Sequence, residues 1–168
     1  MTQNIVLIGM PCSGKTTIGR MLARRLDRKF IDTDEEIVRH IGMPVTEMFR
    51  FYGEPYFREL EAQTVREAAK DADGRVISTG GGAILRGDSV AALRHTGRLI
   101  FLDRPLENLI PLGDRPTADS VEKINTLYHE RYPIYRSAAD LRISASGTLE
   151  EVLSEVVSCL AHDGHHIF

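Results

Sequence analysis

Gly9-Met10-Pro11-Cys12-Ser13-Gly14-Lys15-Thr16 stands between an unbroken aliphatic run, Ile5-Val6-Leu7-Ile8, and a segment in which Ile18, Met21, Leu22 and Leu26 recur at helical spacing. The eight residues fit the pattern G-x-x-x-x-G-K-[ST], after a strand and at the start of a helix, which is the context its chemistry requires. Apolar side chains at every position predict a strand covered on both faces, over Asn4 to Gly9, as parallel sheets have. The helix is expected from about Lys15 to Leu26. Between the two, glycines let successive N–H groups curl around a phosphate, and the helix N-terminus adds partial positive charge. Pro11 to Thr17 form this cradle, with Lys15 placed to reach the β- and γ-phosphates and Thr16 to ligate Mg²⁺. Such a P-loop specifies a nucleoside triphosphate and leaves open what is done with it.

Short apolar runs alternate with helical patterns along the rest of the chain, the mark of βα units around a parallel sheet. Further strands are expected at Lys29 to Asp32, Arg75 to Ser78, Arg98 to Asp103 and Asp140 to Ser144. Helices are expected at Asp34 to Ile41, Pro55 to Ala69, Ser89 to Arg94, Val121 to Tyr132 and Leu149 to Leu160, with another starting at Pro105. Gly42, Pro44, Gly53 and Pro55 read as an irregular stretch. Five strands with crossovers predict a three-layer α/β/α domain, and 168 residues suit one core. Asp34–Glu61 and Gly113–Ser120 are long departures from the βα rhythm and the segments expected to move.

Composition narrows the partners. At 42% hydrophobic and 27% charged residues, the chain has enough apolar surface to offset the ordering entropy of folding. A net charge of -3 offers no general attraction to nucleic acid or an anionic membrane, so any anion is held by a local site. The apolar run at Ile5 is too short for a signal sequence or a span. Cys12 and Cys159 form no disulfide framework or zinc spacing, and a reducing cytoplasm is the expected setting. Cys12, next to a helix N-terminus, is a candidate for a lowered thiol pKa and also a plain small filler.

Three further sets of residues carry chemistry. Phe30-Ile31-Asp32-Thr33-Asp34 puts two carboxylates two residues apart at the carboxyl end of a strand, where ligands of parallel sheets sit. Asp32 is suited to hold Mg²⁺ through a water and Asp34 to accept the proton of an attacking hydroxyl. Asp34 is equally suited to cap the helix that begins at Glu35, and the two roles are compatible. Gly80-Gly81-Gly82 follows a strand and lets backbone N–H groups come close to a ligand. Arg58 and Arg136 are candidates for a bidentate clamp on a carboxylate.

In these blocks the chain resembles the shikimate kinases. Gly9 to Arg20, Phe30 to Asp34 with Ile37, Phe49 through Gly53-Glu54 to Arg58 and Glu61, and Ile77 to Ala83 match that family in order, from Ile5 to about Glu151. The resemblance implies ATP-dependent phosphorylation of the 3-hydroxyl of shikimate, with Asp34 as base or orienter of that hydroxyl and Arg58 and Arg136 clamping the carboxylate. It implies backbone contacts from Gly80, Gly81 and Gly82, Mg²⁺ served by Thr16 and Asp32, and charge stabilisation by Lys15. It also implies a sheet of order 2-3-1-4-5, a monomer, a substrate-binding subregion at about 33–61 and a lid at about 112–120. A P-loop kinase of another small hydroxy compound, or a catalytically weak nucleotide-binding paralogue, are the alternatives.

The lid departs from the family. Relatives usually carry an Arg ahead of a longer basic lid that ends in an Arg-Pro-Leu-Leu-like sequence. Here Ile110-Pro111-Leu112-Gly113-Asp114-Arg115-Pro116-Thr117-Ala118 is shorter, and Pro111 stands about where the first Arg is expected. Arg115 is the remaining lid arginine, assigned to the phosphates, with an ion pair to Asp114 as the alternative. A short lid predicts looser ATP binding or more idle hydrolysis, because closure is what excludes water.

Overall fold

The aliphatic run forms β1 (Asn4–Ile8), with all five residues buried. The computed structural model describes residues 2–111, 113 and 115–162. Four more strands complete a parallel sheet with it: β2 (Phe30–Asp32), β3 (Val76–Ser78), β4 (Gly97–Asp103) and β5 (Leu141–Ser144), in the order β2-β3-β1-β4-β5. Val6 lies opposite Ile77 on one side and Leu99 on the other, which puts β1 at the centre.

Alternation along β1 sorts the helices into two layers. Ile5 and Leu7 face α1 (Lys15–Arg25) and α7 (Leu149–His162), meeting Ile18, Leu22, Val152 and Val156. Val6 and Ile8 face the opposite layer, where Val65 of α4 (Glu54–Ala68), Leu93 of α5 (Gly87–Thr96) and Ile124 and Tyr135 of α6 (Val121–Ala138) complete the core. Each fully buried aliphatic or aromatic side chain stabilises this arrangement by about 1.5–3 kcal/mol. A smaller cluster of Ile37, Met48 and Phe57 ties α2 (Thr33–Ile41) and α3 (Val45–Tyr52) to α4. It builds one wall of the site.

Three expectations are corrected. The stretch between Gly42 and Gly53 is not irregular, because the glycines and proline punctuate α3 instead of dissolving it. Gly42 ends α2 at φ 74, Pro44 precedes the first turn of α3, and Gly53 ends it at φ 83. After Pro105 there is only a 3₁₀ turn, Leu106–Asn108. Most consequentially, α6 runs through Pro133 to Ala138 instead of ending at Tyr132. A proline there loses one backbone hydrogen bond and crowds the preceding turn, but burial of Arg131, Tyr135 and Ala138 on one face holds the helix together across it.

Candidate active site

The loop from Gly9 to Gly14 closes around Lys15. Gly14, at φ 93, provides the left-handed step into α1, whose first turn has neither a side-chain cap nor an acid. Its N–H groups are therefore left for an external anion. Lys15 is buried and its Nζ donates to the carbonyls of Gly9 (2.8 Å) and Met10 (2.7 Å) and to Ser13 Oγ (3.3 Å). Burial, and then the nearby Arg115 charge, push its pKa down to about 7. Pro11 and Ser13 are buried, Cys12, Gly14 and Thr16 partly so, and Thr17 is exposed on α1.

Asp32 ends β2 with both carboxylate oxygens engaged. Oδ1 accepts from the N–H groups of Asp34 (3.0 Å) and Glu35 (3.1 Å), and Oδ2 accepts from Thr16 Oγ1 (2.6 Å). Asp32 therefore caps α2, and the expectation that Asp34 does so is set aside. This frees the Asp34 side chain, which lies in the first turn of α2 with Oδ1 buried and without a hydrogen-bond partner. Its Oδ2 is 3.8 Å from Arg115 Nη1. Desolvation, followed by the charges of Glu61 and Asp32, raises its pKa to about 6, against the opposing pull of Arg115 and Lys15.

Glu61 is the less visible member. It is 3% exposed, its Oε1 accepts from Arg58 Nη1 (2.8 Å), and burial raises its pKa. Its Oε2, like Asp34 Oδ1, has no partner. A Cβ on Gly80 would lie 2.6 Å from each of these oxygens, and one on Gly82 would collide with the Arg58 guanidinium. Only glycine lets β3 turn between the acids and the arginine. Arg58 is held from its other side by Glu54 Oε1, 3.0 Å from Nη2.

The second arginine is a correction. Arg136 is exposed on α6 and lines no part of the cavity, whereas Arg131 is 4% exposed and lines it. Five residues along a helix turn the side chain by roughly 140°, so one α6 cannot present both arginines to one cavity. Arg131 shares the buried face with Ile124, Tyr135 and Ala138, and that spacing was the available signal. Among the described residues Arg131 makes no salt bridge within 4 Å, unlike Arg58. A desolvated guanidinium without an acid is a site for an anion.

These groups share one cavity of about 520 Å³. Thr16, Asp32, Asp34, Arg58, Glu61, Arg131, Gly81 and Gly82 all line its wall. Val45, Phe49 and Phe57 supply apolar surface, with Thr46 among them. Arg115, Pro116 and Thr117 cover it from the lid. Leu112 and Asp114, and with Asp114 its proposed pairing to Arg115, lie outside the described residues; Arg115 is directed to Asp34. The arrangement can hold an anionic group at its arginines and a hydroxyl at Asp34, beside a phosphate cradle.

Residues 11–161 match the family described as Shikimate kinase. The chain is similar to the shikimate kinase of Clostridium botulinum (strain Alaska E43 / Type E3), 39% identical over 160 residues that make up 93% of this chain and 96% of that one. It is 40% identical over 171 residues to the shikimate kinase of Symbiobacterium thermophilum, covering 96% of this chain and 98% of the relative. Among solved structures, shikimate kinase from Acinetobacter baumannii in complex with shikimate superposes with a TM-score of 0.91 at 30% identity, covering 98% of this chain and 96% of that one.

Proposed function

The chain belongs to the shikimate kinase family, and from that premise we propose that it transfers the γ-phosphoryl group of ATP to the 3-hydroxyl of shikimate, releasing ADP and shikimate 3-phosphate. The observation that carries the reading is the buried Arg131, with no salt bridge within 4 Å among the described residues, on the wall of the cavity that also holds Asp34 and the P-loop residue Thr16. Arg131 and Arg58 hold the acceptor's carboxylate, and Glu54 and Glu61 keep the Arg58 fork aimed. Free N–H groups of the Gly80–Gly82 turn contact the acceptor, and Val45, Phe49 and Phe57 pack against its ring. One kinase domain thus divides into an acceptor-binding subregion at about 33–61, a lid at about 112–120 and the nucleotide cradle of Pro11 to Thr17.

Asp34 receives the acceptor hydroxyl on Oδ1, the oxygen that lacks a partner. A carboxylate with a pKa of about 6 is ionised at neutral pH and basic enough to take a proton as the hydroxyl attacks. Lys15 exchanges its carbonyl partners for phosphate oxygens, and the added negative charge restores its proton affinity. Arg115 moves the short distance from Asp34 to the transferring group, where charge spreads over the equatorial oxygens. Positioning and electrostatics suffice, with no covalent intermediate.

Thr16 Oγ1 and Asp32 Oδ2, 2.6 Å apart, form a hard oxygen pair that fits Mg²⁺. Among the described residues no three His, Cys, Asp or Glu side chains group to hold a metal, so Thr16 and Asp32 would be the residues of this chain that hold it. Bound there, Mg²⁺ neutralises phosphate charge. A chain of 168 residues built around one sheet is proposed to act as a monomer. No described helix is long and apolar enough to cross a membrane, and the two free cysteines support a cytoplasmic enzyme. A coupled assay of ADP release with ATP and Mg²⁺, with and without shikimate, tests the reading. A shikimate-dependent rate that falls at least about 100-fold in Asp34→Asn, with nucleotide binding retained, is expected; no dependence on shikimate refutes it.

A further inference from the structure

Three consecutive glycines give the core no side chain with which to hold the turn after β3. Its position rests on backbone partners. Gly80 N–H donates to Thr33 Oγ1 (3.1 Å), and the carbonyls of Gly80 and Gly82 accept from Ala83 and Leu85 (each 3.1 Å). The central carbonyl, Gly81, accepts from Tyr135 Oη on α6, 54 residues away. That leaves the N–H groups of Gly81 and Gly82 without an acceptor among the described residues. Both glycines line the acceptor cavity, and Tyr135 does not.

Tyr135 is 0% exposed, and its ring stacks on Phe101 of β4 with centroids 5.3 Å apart. Arg131 stands one helical turn before it, on the same buried face, and its charge opposes the rise that burial imposes on the phenol's pKa. Gly81 in turn presses on the P-loop, since a Cβ there would come 2.7 Å from Pro11 Cδ. One buried hydroxyl therefore joins the helix that carries the unpaired arginine to the turn that carries the free N–H groups. Among the described residues no other side-chain hydrogen bond joins α6 to that turn.

Resting on the proposed function, we infer that Tyr135 is a positioning residue for the acceptor: its hydroxyl holds the Gly80–Gly82 turn in register with Arg131, so that two free N–H groups and one guanidinium converge on a single shikimate molecule. The phenol itself touches no substrate. Removing the hydroxyl while keeping the ring leaves the stack on Phe101 and releases the turn.

The test uses the full chain, Tyr135→Phe and Tyr132→Phe, with steady-state constants for both substrates and a melting temperature for each. Tyr132 is the matched control: it lies on the same helix, meets the same Phe101 ring (5.7 Å), and donates instead to Asp103 Oδ2 (3.2 Å). In Tyr135→Phe the KM for shikimate should rise about tenfold, with kcat within about threefold and the KM for ATP within about twofold of the parent. Tyr132→Phe should match the parent in all three. An unchanged shikimate KM in Tyr135→Phe overturns the inference. So does an equal rise in both KM values, or the same change in Tyr132→Phe, since either means that α6 has merely loosened. A Tyr135→Phe chain that cannot fold overturns it too, by making the hydroxyl a requirement of the core. A parent with no shikimate-dependent rate defeats the functional reading, and this inference with it.

Discussion

Arg131 and Arg136 differ by five positions and by everything that matters for an anion. The first is desolvated without an acid to pair with; the second lies in water, where an arginine is of little use as a clamp. Arg131→Ala is expected to raise the KM for shikimate on the order of 100-fold, while Arg136→Ala leaves it unchanged; comparable effects from the two would refute the assignment. Cys12 illustrates a different local constraint. Its φ of 66 puts a side chain in the left-handed region, which strains the loop. Cys12→Gly relieves it and loses some of the gain to the freer unfolded chain, for a net stabilisation of up to about 1 kcal/mol in thermal or denaturant unfolding. Asp32 and Asp34 show how one residue's duty frees another. With Asp32 spent on the helix cap and on Thr16, Asp34 keeps an oxygen for the acceptor.

Among the elements, the lid and α6 matter most. The described part of the lid is a tight turn: the Ala118 N–H donates to the Arg115 carbonyl (3.0 Å), Ala118 is 0% exposed in the core, and Lys123 Nζ reaches the Pro116 carbonyl (3.2 Å). An anchored turn keeps Arg115 over the cavity with little chain to reorganise, yet it covers less of the nucleotide than a longer lid would. Arg115→Ala should lower kcat by a factor on the order of 1000 and change the KM for shikimate little. Without acceptor, the parent should hydrolyse ATP faster relative to its kinase rate than a longer-lidded relative does, because water is less well excluded. Equal ratios under matched conditions would remove the argument. In α6, continuation through Pro133 brings Tyr135 and Arg131 into one rigid piece.

For the whole molecule, the site is a load on stability. Asp34 and Glu61 both have native pKa values raised by burial, Asp34 from 3.8 to about 6. The native state therefore holds protons that the unfolded chain has released. Their contribution is favourable below the unfolded values and is lost as pH rises through the native ones, a window from about pH 4 to 6 for Asp34. Asp34→Asn removes a buried charge at neutral pH, so it should melt higher than the parent at pH 7, by about 2 kcal/mol or roughly 5 °C, with the gain vanishing near pH 4. A gain that persists at low pH would contradict the linkage. Much of this molecule was readable in its amino acids. The P-loop, the βα alternation and the glycine turn are local patterns, since runs of neighbouring residues set strand burial, helical periodicity and backbone freedom without reference to the rest of the chain. Helical spacing hints that Arg131 shares a face with Ile124, Tyr135 and Ala138, but the docking of that face, the acid pair of Glu61 with Asp34, and the grip of Tyr135 on Gly81 were decided only in three dimensions. Each depends on which face of a helix docks against β4 or the turn after β3, and docking is chosen by burial between segments tens of residues apart, a quantity that no local pattern encodes.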